Sequence, residues 1–178
     1  MAVRSSAPVS LVADIVDEFG GSAPYSLTDY YRGGSLVPNG PDANNNIPTS
    51  GAISLTNFLG ATNTVTWTTT QTNGQGSGKL PLVGYSDGYS GTFGSVSDSS
   101  IDFLGKTYKM LWHRVAGVEV GTHFQIQDNS TAWTSITIAG TTIARTSFST
   151  GSNGEFWLDS STNYVGSNGD NITVVLTQ

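Results

Sequence analysis

From Asn63 to Gln178, turn signals recur about every 8–12 residues, and this spacing restricts the fold more than any other feature of the chain. No apolar stretch between them is long enough for a core helix. The residues left between turns alternate instead, as in Thr64–Thr72, where Val65 and Trp67 share one side and threonines the other. Leu80–Tyr85 reads as a strand whose Pro81 favours a strand start or an edge. Tyr108, Met110 and Trp112 share a face, and Val118, Val120, Phe124 and Ile126 continue the pattern after Gly117. Trp133–Ile138 and Thr141–Arg145 face each other across Ala139-Gly140, the sign of a tight hairpin. Glu155–Leu158 and Asn171–Leu176 supply the last strands. Seven to nine short strands in 116 residues predict an antiparallel β-sandwich over residues 63–178.

Composition agrees. Charged residues are 11% of the chain, about half the usual share, while Gly, Ser, Thr and Asn are abundant. Few charges with ample aromatic and β-branched residues exclude disorder and predict an all-β protein with a hydroxyl-rich surface. The net charge of −6 divides evenly, −3 on residues 1–62 and −3 on 63–178. With no basic patch, nucleic acid is not an expected partner. The absence of cysteine removes disulfides and thiolate chemistry. Met1-Ala2-Val3-Arg4 lacks the apolar run of a signal peptide and nothing approaches a membrane span, so synthesis in a cytoplasm without membrane insertion is the expectation.

Residues 1–62 read differently. Ser26-Leu27-Thr28-Asp29-Tyr30-Tyr31-Arg32-Gly33-Gly34 and Ser54-Leu55-Thr56-Asn57-Phe58-Leu59-Gly60-Ala61 are two versions of one device. In each, Ser caps a helical turn, Asp or Asn three residues on reaches back, and glycine stops the turn. Ser10–Gly21 is a longer version, with Leu11, Ile15 and Phe19 at four-residue spacing and Asp14, Asp17 and Glu18 opposite. Unequal spacing of the three excludes a regular solenoid. Between the second and third lies turn sequence with extended points at Val37-Pro38 and Ile47-Pro48. Short hooks separated by extended peptide predict an N-terminal attachment arm that leaves its apolar faces on a neighbour. The expected anchors are Leu11, Ile15, Phe19, Tyr25, Leu27, Tyr30, Tyr31, Leu55, Phe58 and Leu59.

Catalytic and metal patterns are weak, and no enzyme, metal or cofactor is expected. Asn73–Leu80 fails as a phosphate loop, because Asn73 stands where its first glycine belongs and Pro81 opposes the following helix. His113 and His123, with Glu119 between, lie across a glycine-containing connection and predict satisfied imidazoles on strands. Asp87, Asp98, Asp102, Glu155, Asp159 and Asp170 mostly sit beside turn residues, so turn formation explains them as well as a glycosidase pair does. Trp67, Trp112, Trp133 and Trp157 fit core positions. Tyr85, Tyr89, Phe93 and Tyr164 lie in glycine-rich loops, where they could form a sugar-stacking platform.

The residues Ser26-Leu27-x-Asp29-Tyr30-Tyr31-x-Gly33-Gly34, Val37-Pro38, Ile47-Pro48-Thr49-Ser50-Gly51 and Ile53-Ser54-Leu55-x-x-Phe58-x-Gly60-Ala61 resemble a segment of tailed-bacteriophage virion structural proteins, of the tail, neck and fibre type. Thr134–Ile138 with Gly140-Thr141-Thr142 resembles the β-rich domains of such proteins more loosely. The resemblance implies a virion component that is assembled with copies of itself and other virion proteins, and brings no catalytic residues. A carbohydrate-binding adhesin contacting host surface glycan, or a capsid decoration protein, is the alternative expectation.

Overall fold

The computed structural model describes residues 2–38, 44–75, 81–88, 91–97, 102–103, 106–131, 133–151 and 155–177. The chain is mainly β, with two antiparallel sheets packed together and short helical turns towards the N-terminus. It divides into two compact units, Met1–Val65 with Ile101–Gly105 and Thr177–Gln178, and Thr66–Ser100 with Lys106–Leu176.

In the first unit the hooks form where the sequence places them. Leu11–Val16 is a π-helical turn that continues as α-helix through Asp17–Phe19, and Gly20 ends it at φ 75°. Ala13 N–H donates to the capping Ser10 Oγ at 3.2 Å. The second and third hooks are 3-10 turns, Leu27–Tyr30 and Leu55–Phe58. Their reach-back bonds run from Ser26 N–H to Asp29 Oδ2 at 3.2 Å and from Ser54 N–H to Asn57 Oδ1 at 2.7 Å. Gly60 follows the third hook at φ 74°. Gly33, also left-handed at φ 80°, does not stop the second hook, because Tyr31 has already turned extended; its N–H serves the next turn by donating to Val37 O.

The expectation that these faces need a neighbour is overturned. Val3, Val9, Ile15, Phe19, Tyr30, Val37, Ile47, Phe58 and Ala61 form a buried cluster within this unit. The reason is that three hooks can cover each other where one cannot. Phe58 takes Phe19 edge-on at 6.4 Å and Tyr30 edge-on at 6.3 Å, so each hook delivers one ring to a common centre. Four of the expected anchors, Ile15, Phe19, Tyr30 and Phe58, are therefore buried inside their own unit. Leu11, Leu27, Leu55 and Leu59 pack against the same cluster, half-buried. Tyr31 is half-buried and bonds Gly51 O through its hydroxyl. Of the ten, only Tyr25 is exposed.

Polar side chains close the unit over long sequence separations. Asn44, fully buried, donates through Nδ2 to Pro38 O (3.1 Å) and Thr62 O (2.9 Å) and accepts from Thr62 N–H (3.0 Å). Buried Glu18 accepts from Asn63 N–H at 2.7 Å and Thr62 Oγ1 at 3.1 Å. The first residues join in, with Val3 N–H donating to Ala61 O and Gly60 N–H to Arg4 O.

The second sequence region supplies the sheets. Their strands are β1 (Thr64–Thr70), β2 (Thr72–Gln75), β3 (Pro81–Ser86), β4 (Ser95–Val96), β5 (Asp102–Phe103), β6 (Lys106–Arg114), β7 (Gly121–Ile126), β8 (Ser135–Ile138), β9 (Thr141–Ala144), β10 (Ser149–Thr150), β11 (Phe156–Asp159) and β12 (Asn171–Thr177). One sheet runs β4-β1-β12-β8-β9 and the other β10-β11-β7-β6-β3-β2. Pro81 does open a strand, where its missing N–H costs least. The β8–β9 hairpin pairs Ile136 with Ile143, and its turn residues Ala139 (φ 47°) and Gly140 (φ 85°) have the double left-handed geometry that matches sheet twist.

An aromatic chain fills the space between the sheets. Trp67 meets Tyr108 at 4.8 Å, Tyr108 meets Phe124 at 6.1 Å, and Trp133 stands edge-on to both Phe124 (5.2 Å) and Phe156 (5.0 Å). A bulge between Tyr108 and Met110 in β6 then changes which residues face inward. Beyond it Leu111 joins Phe124 on the inner face, and Met110 and Trp112 turn outward.

Candidate functional site

The outward turn of Met110 and Trp112 gives the second sheet a second apolar layer. Leu82, Met110 and Trp112 are buried there with Phe93 packed against them. Glycines make the room. A Cβ at Gly84 (φ 151°) would lie 2.3 Å from Leu111 O and 2.5 Å from Trp112 Cα, so no other residue lets β3 approach β6 this closely. A Cβ on Gly74 of β2 would lie 2.6 Å from the Phe93 ring. Phe93 thus lies over glycine backbone and stacks towards Trp112, with ring centroids 6.0 Å apart.

Beside Phe93 an open groove of about 710 Å³ runs along β2 and the start of β3. Asn73, Gln75, Thr92, Leu82 and Phe93 line it, and no charged side chain among the described residues does. Its size is within the range of small-ligand sites. A second hollow of about 250 Å³ adjoins it, sharing Asn73, Pro81 and Leu82 and reaching Asn163, Ser167 and Asn168.

Among the described residues, Tyr85, Phe93 and Tyr164 do not come together as one stacking face. Tyr85 stacks on Tyr108 at 4.9 Å, on the inner face of β6, while Phe93 stacks on Trp112, on the outer face. Burial, then the nearby Asp87 charge, pushes the Tyr85 phenol above its ordinary value. Tyr164 is half-buried and makes no ring contact with either among the described residues. Tyr89 lies outside the described residues, as do residues 76–80 of the phosphate-loop comparison. Of the three that are described, Phe93 alone lines the groove, and the groove residues Asn73 and Gln75 escaped the sequence reading because isolated amides in a strand carry no signature.

The histidines occupy neighbouring strands and opposite faces. His113, inward, has Thr122 Oγ1 at 3.3 Å from Nδ1. Burial, and next the charge of His123, holds its pKa below the ordinary 6.5. His123, outward and fully buried, has Glu155 Oε1 at 3.2 Å from Nδ1 and Glu119 O at 2.8 Å from Nε2. Its ring stands between Trp112 (5.9 Å) and Trp157 (6.4 Å). Glu155 is therefore no turn residue but the buried partner of a histidine 32 residues away. Both nitrogens of His123 face protein acceptors, which leaves this pair a structural role. Asp170 is spent on its own turn, its Oδ2 accepting from Ser167 N–H at 2.8 Å. Among the described residues no three His, Cys, Asp or Glu side chains converge on a metal position.

Together these features define a two-sheet β-sandwich with a surface groove beside Phe93 and a small hook-built N-terminal unit. No protein-family model, curated protein or solved structure matches the chain. No helix among the described residues is long and apolar enough to cross a membrane.

Proposed function

We propose that this protein is a structural component of a bacteriophage virion, of the tail, neck or fibre type, that docks through its N-terminal unit and displays the β-sandwich. One observation carries the reading. The motif residues that resemble virion proteins are the residues that build the first unit: the Ser26/Asp29 and Ser54/Asn57 caps, buried Tyr30, Val37, Ile47 and Phe58, and the left-handed Gly33, Gly51 and Gly60. A motif spent on folding encodes a module, and a module can be shared among proteins that display different domains behind it.

With the core satisfied internally, docking falls to what remains outside. Among the described residues, Val12 (57% exposed) and Tyr25 (37%) are the large apolar side chains this unit leaves in solvent. Repeated copies on a particle would multiply such small contacts by avidity. The partners are then other virion proteins and further copies of this chain. The test is to supply full-length Val12→Asp/Tyr25→Ser protein to assembling particles beside the wild type. Retained folding with loss of incorporation is the expected result. Equal incorporation of the two, or absence of the wild-type chain from purified particles, would defeat the reading.

A further inference from the structure

We propose that strand β9 is a pairing edge for a second copy of this chain, joined antiparallel about a two-fold axis. β9 ends its sheet, so only its side towards β8 is occupied. The direction of its backbone groups follows from its neighbours. Ala139 N–H reaches across to Thr173 O of β12, and Arg145 N–H returns to Thr134 O. Backbone groups alternate along a strand, so Thr141, Ile143 and Arg145 point theirs at β8. Thr142 and Ala144 point theirs the other way. Both residues are exposed, and neither backbone has a partner among the described residues.

Proteins guard such edges by shortness, charge, proline or a bulge. The other three ends of the two sheets are guarded. β4 and β10 are two residues long each, and on β2 the Asn73 N–H already donates to Asn168 Oδ1 at 3.0 Å. β9 has none of these devices. Thr141-Thr142-Ile143-Ala144 carries no charge and no proline, and its register with β8 is unbroken. Three of its four residues are β-branched, the type that suits an extended backbone.

The outward groups fit their own copy. With Ile143 of each chain on the axis, Thr142 N–H donates to the carbonyl of the partner's Ala144, and Ala144 N–H to that of the partner's Thr142. Symmetry doubles these bonds, so every outward group is used. Charge does not oppose the pairing. Arg145 is the one charged residue between positions 133 and 151, and this register sets its two copies about 13 Å apart along the strands. That exceeds the screening length of physiological salt, about 8 Å. A foreign extended peptide is the competing occupant. It would find no charged side chain on β9 to select it, and its own outer side would become a new edge. A two-fold pair closes on itself and leaves none at this end. So short a contact buries less than a stable dimer needs, which makes the pair weak and reversible. β9 belongs to the second unit, so this pairing and the docking of the first unit stand or fall separately.

Sedimentation equilibrium of the full-length protein up to about 1 mM reads the pairing. A reversible monomer–dimer equilibrium is expected, with amide exchange at Thr142 and Ala144 slowing as concentration rises. Ala144→Pro abolishes it. Ala144 already has a φ of −68°, which suits proline, and its N–H serves nothing inside the chain, so tryptophan-monitored unfolding keeps the wild-type midpoint. Ala144→Lys, a second exposed change, puts two lysines on diagonal positions with Cβ atoms roughly 7–8 Å apart. It weakens pairing about tenfold or more at low salt, and high salt restores part of the loss. Val12→Asp/Tyr25→Ser leaves the dimer intact. A wild-type chain still monomeric at the highest concentration, a dimer indifferent to both Ala144 variants, or one lost with Val12→Asp/Tyr25→Ser would each overturn the proposal. So would an extended threonine-valine peptide that occupies this edge more tightly than the second copy does.

Discussion

His113 and His123 are ten residues apart on paired strands, yet their surroundings give them opposite characters. His123 is met by a carboxylate and a carbonyl, whereas His113 faces the interior with a threonine hydroxyl. Burial holds the His113 pKa below 6.5, so below that pH the unfolded chain binds a proton that the folded chain refuses. Stability should therefore fall as pH drops through 6.5, by at most about 1.4 kcal/mol per pH unit, until the folded-state pKa is reached. All four tryptophans lie between residues 67 and 157, so their fluorescence reports the second unit alone. His113→Gln should flatten this part of the pH profile. An unchanged slope would mean that another group titrates. At this scale the sequence was legible only where partners are near neighbours. The Ser26/Asp29 and Ser54/Asn57 caps are three residues apart and could be read directly. Asn44 bonding Thr62 and Glu155 meeting His123 are contacts across 18 and 32 residues, and nothing local announces them.

The hooks show the same division one level up. Their positions, caps and apolar faces follow from spacing and glycine placement, and the structure has them there. What the faces pack against does not follow, because a short apolar face fits a sister hook as well as a foreign surface. The three aromatic residues meeting at Phe58 decide it. Since Phe58 is fully buried at that junction, Phe58→Ala should cost about 3–5 kcal/mol of the first unit's stability. Denaturation followed by tyrosine fluorescence or far-ultraviolet dichroism would read the loss, with the tryptophan transition of the second unit as internal reference. A cost below about 1 kcal/mol is what a surface anchor would give, and would restore the open-arm picture. The strands were more legible than the hooks, since alternation and turns mark them locally. The exceptions include strand β2, whose Asn73-Gly74 reads as the start of a turn, Val118 and Val120, which lie in the connection before β7, the two-residue strands β4, β5 and β10, too short to show a period, and the β6 bulge that turns Trp112 outward.

For the whole chain, turn spacing and a low charge content were enough to give a β-sandwich behind an N-terminal region with short helices. They could not give strand order, which depends on pairings such as β11 with β7 across some thirty residues. Nor could they give the groove, which gathers β2, the Thr92–Phe93 segment and the 163–168 turn. The first unit holds itself together through contacts that span its length, from Val3 on Ala61 to Asn44 on Thr62. Native-state amide hydrogen exchange on the dilute, monomeric full-length chain is the direct test of that closure. The amides of Val3, Ile47, Gly60 and Ala61, each bonded within the unit, should be protected alongside those of the central strands and independently of protein concentration. Free exchange at these four positions in the monomer, with protection gained only on assembly, would contradict it.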